Sequence, residues 1–249
     1  MVRSTIFVAL LLSGGALGQL NVPEQAKAIA FVREYALNYT QRLPNYTCTQ
    51  TTRHTWRGGM HTETNFFEEQ LSFVDKQEIR KLIRIDGYPP PPNYSGRAAT
   101  VSWGEFGNLL DTIFEPATGA DLRFDRVATL NQRRVYVFAF RVPQPKGYLL
   151  VEAKGTRRVP FQGFVYADSQ SGAVLRIQMK CTDIPDHSEY QAVGLTLDYK
   201  PAEVAGAEFI LPSHFALNYR TDIGSLADSS DFTKYRRFSA DTSIQFDPQ

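Results

Sequence analysis

Apolar positions along this chain recur in two rhythms, and the two-residue rhythm dominates. The helical one comes first. Ile29, Val32, Ala36, Tyr39 and Leu43 fall on one face of a helix. Pro23 opens that helix at a first-turn position, it runs to about Arg42, and Pro44 ends it. From Tyr46 onward, alternation of apolar and polar residues predicts strands. Tyr46 to Trp56 and Thr62 to Val74 flank Arg57-Gly58-Gly59-Met60, the pattern of a β-hairpin. Pairing Trp56 with His61 places Cys48, Gln50, Thr52, His54 and Trp56 on one face. His61, Glu63, Phe67, Leu71 and Phe73 share it. The apolar members make this the core side, so Cys48 is expected to point inward. Glu78 to Ile85 predicts a third strand.

A proline run, Pro89 to Pro92, then interrupts the sheet as a stiff extended segment. Ser102-Trp103-Gly104-Glu105 fits a capping box. Behind it Phe106, Leu109, Leu110, Ile113 and Phe114 form an apolar helical stripe that must pack on something apolar. The remainder reads as a meander, with strands over Leu122 to Leu130, Val135 to Val142, Gly147 to Glu152, Phe161 to Tyr166 and Ala173 to Cys181. Val193 to Tyr199, Glu208 to Tyr219 and Phe232 to Phe246 complete it. Leu175, Ile177, Met179 and Cys181 alternate with Arg176, Gln178 and Lys180, the mark of a half-buried strand. The predicted fold class is mainly β with few helices, and no internal repeat or domain boundary stands out.

The N-terminus changes the picture by adding a compartment. Arg3, the apolar run Ile6 to Leu12 and the small residues Ser13 to Gly18 read as an export signal cut after Gly18. Residues 1–18 are thus expected to be a signal peptide and 19–249 a single domain, exported to the periplasm or secreted. No later stretch approaches the roughly 20 apolar residues of a membrane helix. A net charge of +1 gives no electrostatic case for nucleic acid. Cys48 and Cys181 are the two cysteines, open either to one disulfide or to two buried thiols.

Candidate chemistry is sparse. There is no G-x-S-x-G elbow, H-E-x-x-H, phosphate loop, C-x-x-C or dinucleotide fingerprint, and no cofactor is implied. His54, His61 and Glu63 meet at the first hairpin's tip, and imidazole with carboxylate suits zinc. A solvated polar hairpin end accounts for the same three residues, since no further side chain presents itself to orient the imidazoles. Glu68 and Glu69, as strand neighbours, face opposite sides and cannot act as a glycosidase pair.

The order of elements resembles the LolA-like and LppX-like periplasmic lipoprotein carriers. The residues that carry the resemblance are the leading helix before Asn45-Tyr46-Thr47-Cys48 and the strand–turn–strand run from Val165 through Asp168-Ser169-Gln170-Ser171-Gly172 to Ile177. Leu197-Asp198-Tyr199, Gly206 to Pro212 and Tyr235 to Phe238 extend it. The proline run and its helix depart from a minimal carrier. The resemblance implies a half-barrel, a strongly curved antiparallel sheet with the N-terminal helix and the inserted amphipathic helix against its concave face. It further implies a non-catalytic carrier or binder of lipid, lipoprotein or another apolar ligand, with the inserted helix as plug or lid. Phe67, Phe73, Phe106, Leu110, Phe114, Leu175 and Ile177 are the expected lining residues. Two alternatives stand beside it: a cell-envelope interaction module that binds another protein, and a metal-dependent hydrolase built on the histidine cluster.

Overall fold

The computed structural model describes residues 20–92, 94 and 107–238. The expected signal segment, the capping box at Ser102 and the lining candidate Phe106 lie outside them.

The leading helix begins one residue before Pro23. In α1 (Val22–Leu37) the Asn21 side chain accepts from the Glu24 N–H at 3.0 Å, while the Glu24 carboxylate accepts from the Asn21 N–H at 2.8 Å. Two donors that the first turn leaves orphaned are thereby satisfied. The predicted helix is broken at Asn38, and its last turn is a separate short segment, α2 (Tyr39–Arg42). Ala28, Val32, Ala36 and Tyr39 are buried, so the apolar face read from the sequence is the face that packs.

The strands follow as β1 (Tyr46–Gly58), β2 (His61–Val74) and β3 (Gln77–Ile85), then helix α3 (Asn108–Phe114). After α3 come β4 (Asp121–Leu130), β5 (Arg133–Val142), β6 (Tyr148–Glu152), β7 (Gly155–Val159), β8 (Phe161–Asp168) and β9 (Val174–Cys181). Three long strands close the series: β10 (Tyr190–Val204), β11 (Ala207–Thr221) and β12 (Ser225–Arg237). Among the described residues, ten of these form one antiparallel sheet in the order β3-β2-β1-β12-β11-β10-β9-β8-β5-β4, and β6 pairs only with β7. The chain is mostly strand, and the large sheet does not close: β3 and β4 remain its edges, giving a curved half-barrel.

Three sequence expectations are corrected. The first hairpin turns on Gly59 and Met60 alone, with Gly59 at φ 57°, so that Gly58 pairs with His61, Trp56 with Glu63 and His54 with Asn65. A two-residue loop with glycine first matches the twist of the flanking strands better than the longer loop inferred from composition. Because the shift is two residues, every side chain keeps its predicted face. The last strand is Ser225–Arg237 rather than one starting at Phe232, and it returns to pair with β1. Third, β7 completes a hairpin where the sequence suggested only β6.

Strand parity sorts the core. Phe138, Phe140 and Val142 on β5 point to one side with Phe161, Val165, Ile177, Met179, Leu195, Leu197, Phe215 and Leu217. The helices α1 and α3 pack on the same side, through Val32, Ala36, Leu110, Ile113 and Phe114, and contact each other and strands β4, β5 and β9. That side is the concave one. Val135 and Val137, which alternate with Phe138 and Phe140, belong to a second, smaller cluster with Ala173 and Leu175.

Candidate functional site

The concave face is divided along its length. On β11 and the strands beyond it the inward residues are apolar. Across the next pairing the character changes: Phe215 lies opposite Ser230 and Leu217 opposite Asp228. From there the inward positions of β12, β1 and β2 include Asp228, Ser230, Gln50, Thr52, His54 and Glu69, flanked by Phe67, Leu71, Phe73 and Phe232.

Apart from His54, which is partly exposed, this polar belt is deeply buried, and most of it is internally bonded. The hydroxyls of Thr52 and Ser230 lie 2.8 Å apart. Gln50 Nε2 donates to Thr52 Oγ1 at 3.1 Å and to Ser230 Oγ at 3.3 Å. Its Oε1 accepts from Arg80 Nη1 at 2.8 Å, and Arg80 is ion-paired with Glu78 on the edge strand. His54 Nδ1 meets Asp228 Oδ1 at 2.7 Å, with the imidazole edge-on to Phe67 at 6.0 Å between centroids. Each of these groups would cost about 1–3 kcal/mol if buried unsatisfied. The bonds offset that cost and fix strand register in this wing.

At the Tyr46 end of β1 the trough is floored by tyrosines. Tyr39 OH donates to the Ile210 carbonyl (2.9 Å) and Tyr235 OH to the Pro212 carbonyl (2.6 Å). Tyr46 stacks on Phe73 and meets Tyr235 edge-on. Burial pushes all three phenols above their ordinary range, aided by the repulsion of neighbouring tyrosines. A bulge in β12 sets Tyr235 in place: Thr49 pairs with Thr233 but Thr47 with Arg236, and Lys234 takes φ 56° to absorb the extra residue.

Of the expected lining residues, Phe67, Phe73 and Ile177 are on the concave face, and Leu110 and Phe114 are the buried face of α3. Leu175 is not with them. The β8–β9 register slips between Tyr166 and Ala167, and Leu175 turns to the second cluster with Val135 and Val137. The predicted common face of Leu175, Ile177 and Met179 therefore starts at Ile177. His54, His61 and Glu63 do not converge. His61 lies at the turn, exposed, and His54 is held by Asp228 from β12. Among the described residues no three His, Cys, Asp or Glu side chains stand within metal-holding reach.

Cys48 and Cys181 are not joined by a disulfide: they lie on β1 and β9, with three strands between them. Burial pushes the Cys181 thiol up to about 12. Among the described residues no helix is long and apolar enough to cross a membrane. The partners Asp228 and Ser230 escaped sequence reasoning because β12 is far from β1 along the chain and nothing local signals that pairing.

No family model and no curated protein matches the sequence. Solved structures are similar in fold. One is a DUF1329 family protein from Desulfovibrio piger, 9% identical over 89% of this chain and 95% of that one, with a TM-score of 0.46. Another is a putative outer membrane lipoprotein-sorting protein domain from Vibrio parahaemolyticus, 10% identical over 91% and 96%, TM-score 0.43. A third is a LolA superfamily protein from Nitrosomonas europaea, 9% identical over 84% and 92%, TM-score 0.37. LolA-superfamily and lipoprotein-sorting proteins, which the sequence resembles, are among the solved structures it is similar to.

Proposed function

We propose that this chain is an exported, non-catalytic carrier or binding protein for a lipid, a lipoprotein acyl chain or another apolar ligand. In this reading residues 1–18 direct export and residues 19–249 form one half-barrel unit. The observation that carries it is the apolar wing of the trough, β5 and β8 to β11, covered by two helices: α1, which reaches β4 and β9, and the short α3, which reaches β5, with Leu150 and Val159 of the β6–β7 hairpin in the same core. Helix α3 is seven residues long and is seated by only three buried side chains, Leu110, Ile113 and Phe114. Lifting it uncovers the β5 part of that face, around Phe138 and Phe140. An acyl chain laid there gains about 0.8 kcal/mol per buried methylene without any specific polar contact.

The test is native mass spectrometry of the protein purified from its own host, together with uptake of a fluorescent fatty acid. Co-purified lipid and saturable uptake are the expected results. A protein that carries no lipid and takes up no probe is not a carrier, and a pull-down dominated by one envelope protein would put an interaction module in its place.

A further inference from the structure

The end of the sheet opposite the tyrosine floor carries its own surface. Two turns meet there: Gly59-Met60 between β1 and β2, and Asp222-Ile223-Gly224 between β11 and β12. They are in contact, because a Cβ on Gly58 would lie 2.9 Å from the Ile223 carbonyl and one on Gly224 would lie 2.6 Å from the Trp56 ring. Each turn directs its one large apolar side chain into solvent: Met60 is fully exposed and Ile223 is 73% exposed. The Trp56 ring lies against Gly224 of the second turn and close to Gly58 at the foot of the first.

Just behind these tips the ladder aligns three residues on one rung of the convex side. Ser225 pairs with Arg57 on β1 and with Arg220 on β11. Two strand spacings put the arginine α-carbons about 10 Å apart, a span that two guanidiniums close around one phosphate group. Arg220 Nε is steadied by Gln191 Oε1 at 3.1 Å, whereas Arg57 is exposed. With Thr221 and Asp222 they line an open groove of about 410 Å³. Asp222 is the one carboxylate in it, so the groove is net positive.

We infer that this end of the half-barrel docks on an anionic phospholipid surface, with Met60 and Ile223 entering the headgroup layer and Arg57 and Arg220 sharing a lipid phosphate. The combination is the one an interface demands: apolar tips reach the acyl boundary, an indole sits close behind the turns, and long cationic side chains stay at headgroup depth. Neither part alone would suffice, since two small apolar tips bind a bilayer weakly and two arginines are screened by salt. The inference is independent of the cargo reading, because it uses the turns, the convex rung and Trp56 at the rim, and none of the residues proposed to line the apolar wing.

The experiment is co-sedimentation of the mature chain with vesicles of phosphatidylglycerol and phosphatidylcholine in equal parts, and with phosphatidylcholine vesicles alone. Binding is expected on the mixed vesicles, weaker on the neutral ones, and falling with added salt. The double variant Arg57→Gln with Arg220→Gln loses roughly 30-fold in partitioning, two surface cations' worth. Met60→Ser with Ile223→Ser also releases the protein, whereas Asp222→Asn binds about fivefold more tightly. All of these positions are on turns or the strand surface, so circular dichroism should show unchanged folding. Absence of binding to the mixed vesicles overturns the inference, as does equal binding to both kinds or an arginine variant that binds like the parent. Displacement by inorganic phosphate at matched ionic strength would mark a free-anion groove and overturn it too. Uptake of the fluorescent fatty acid by the same variants reports on the carrier reading alone.

Discussion

If α3 is the movable cover of the trough, loosening it must tighten cargo binding, and the size of that effect follows from how it is seated. Ile113 is 1% exposed and lies at the contact between α3 and the concave core. Ile113→Val removes one methylene from that contact, at a cost of about 0.5–1.5 kcal/mol. Where the helix must leave its seat before the ligand enters, apparent affinity is reduced by the fraction of molecules already open. Weakening the closed state by about 1 kcal/mol raises that fraction, and with it the apparent affinity, about fivefold. The stability measured by urea unfolding falls by the same amount. Ile177→Val is the matched control: the same chemical change on the concave face of β9, where the ligand would lie. It costs similar stability but removes a cargo contact, so affinity falls. Titration of a fluorescent fatty acid into the parent and both variants reads the two signs directly. Equal or weaker binding by Ile113→Val would refute a displaced α3, leaving the helix a fixed part of the core.

Two further outcomes are expected. Asp168 accepts from the N–H groups of Gln170 (2.9 Å) and Ser171 (2.8 Å) and from Ser171 Oγ (3.1 Å), with Arg133 at 3.7 Å. Burial pushes its carboxyl up, but these bonds and the guanidinium outweigh it and hold the carboxyl below its usual range. The stabilisation is therefore complete above the unfolded value near pH 4 and drains away as pH falls through the lower folded value; Asp168→Asn should cost about 1–2 kcal/mol at neutral pH and flatten the acid limb of a pH–stability curve. At the β12 bulge, Lys234→Gly should be neutral or stabilise by about 0.5 kcal/mol, and Lys234→Val should cost about 1–2 kcal/mol, because φ 56° is open to glycine and closed to a β-branched residue; thermal melts of the two variants decide it.

How much of this was legible in the sequence depends on range. The buried face of α1, the strands of the first hairpin and the buried stripe of α3 all rest on side chains within a turn or two of one another, and periodicity reports them. Face assignments survived even where register failed, because a two-residue slip preserves parity. What could not be read is what strands bring together from afar. The belt of Gln50, Thr52 and Ser230, the His54–Asp228 contact and the Arg57–Ser225–Arg220 rung all depend on β12 returning to β1, which no local pattern announces. Leu175 failed for the opposite reason. Its alternation was regular, but a one-residue slip against β8 reversed its direction.

The sheet's open seam has a mechanical consequence. No backbone hydrogen bond joins β3 to β4, so spreading the two rims stretches twist and side-chain packing but severs no ladder. A closed barrel of equal strand number has a girth fixed by its strands and stagger, whereas this open sheet is not held to one girth and, under the carrier reading proposed above, could widen with the bulk of a ligand. Stitching the rims together by an engineered cross-link would convert an adjustable span into one of fixed width.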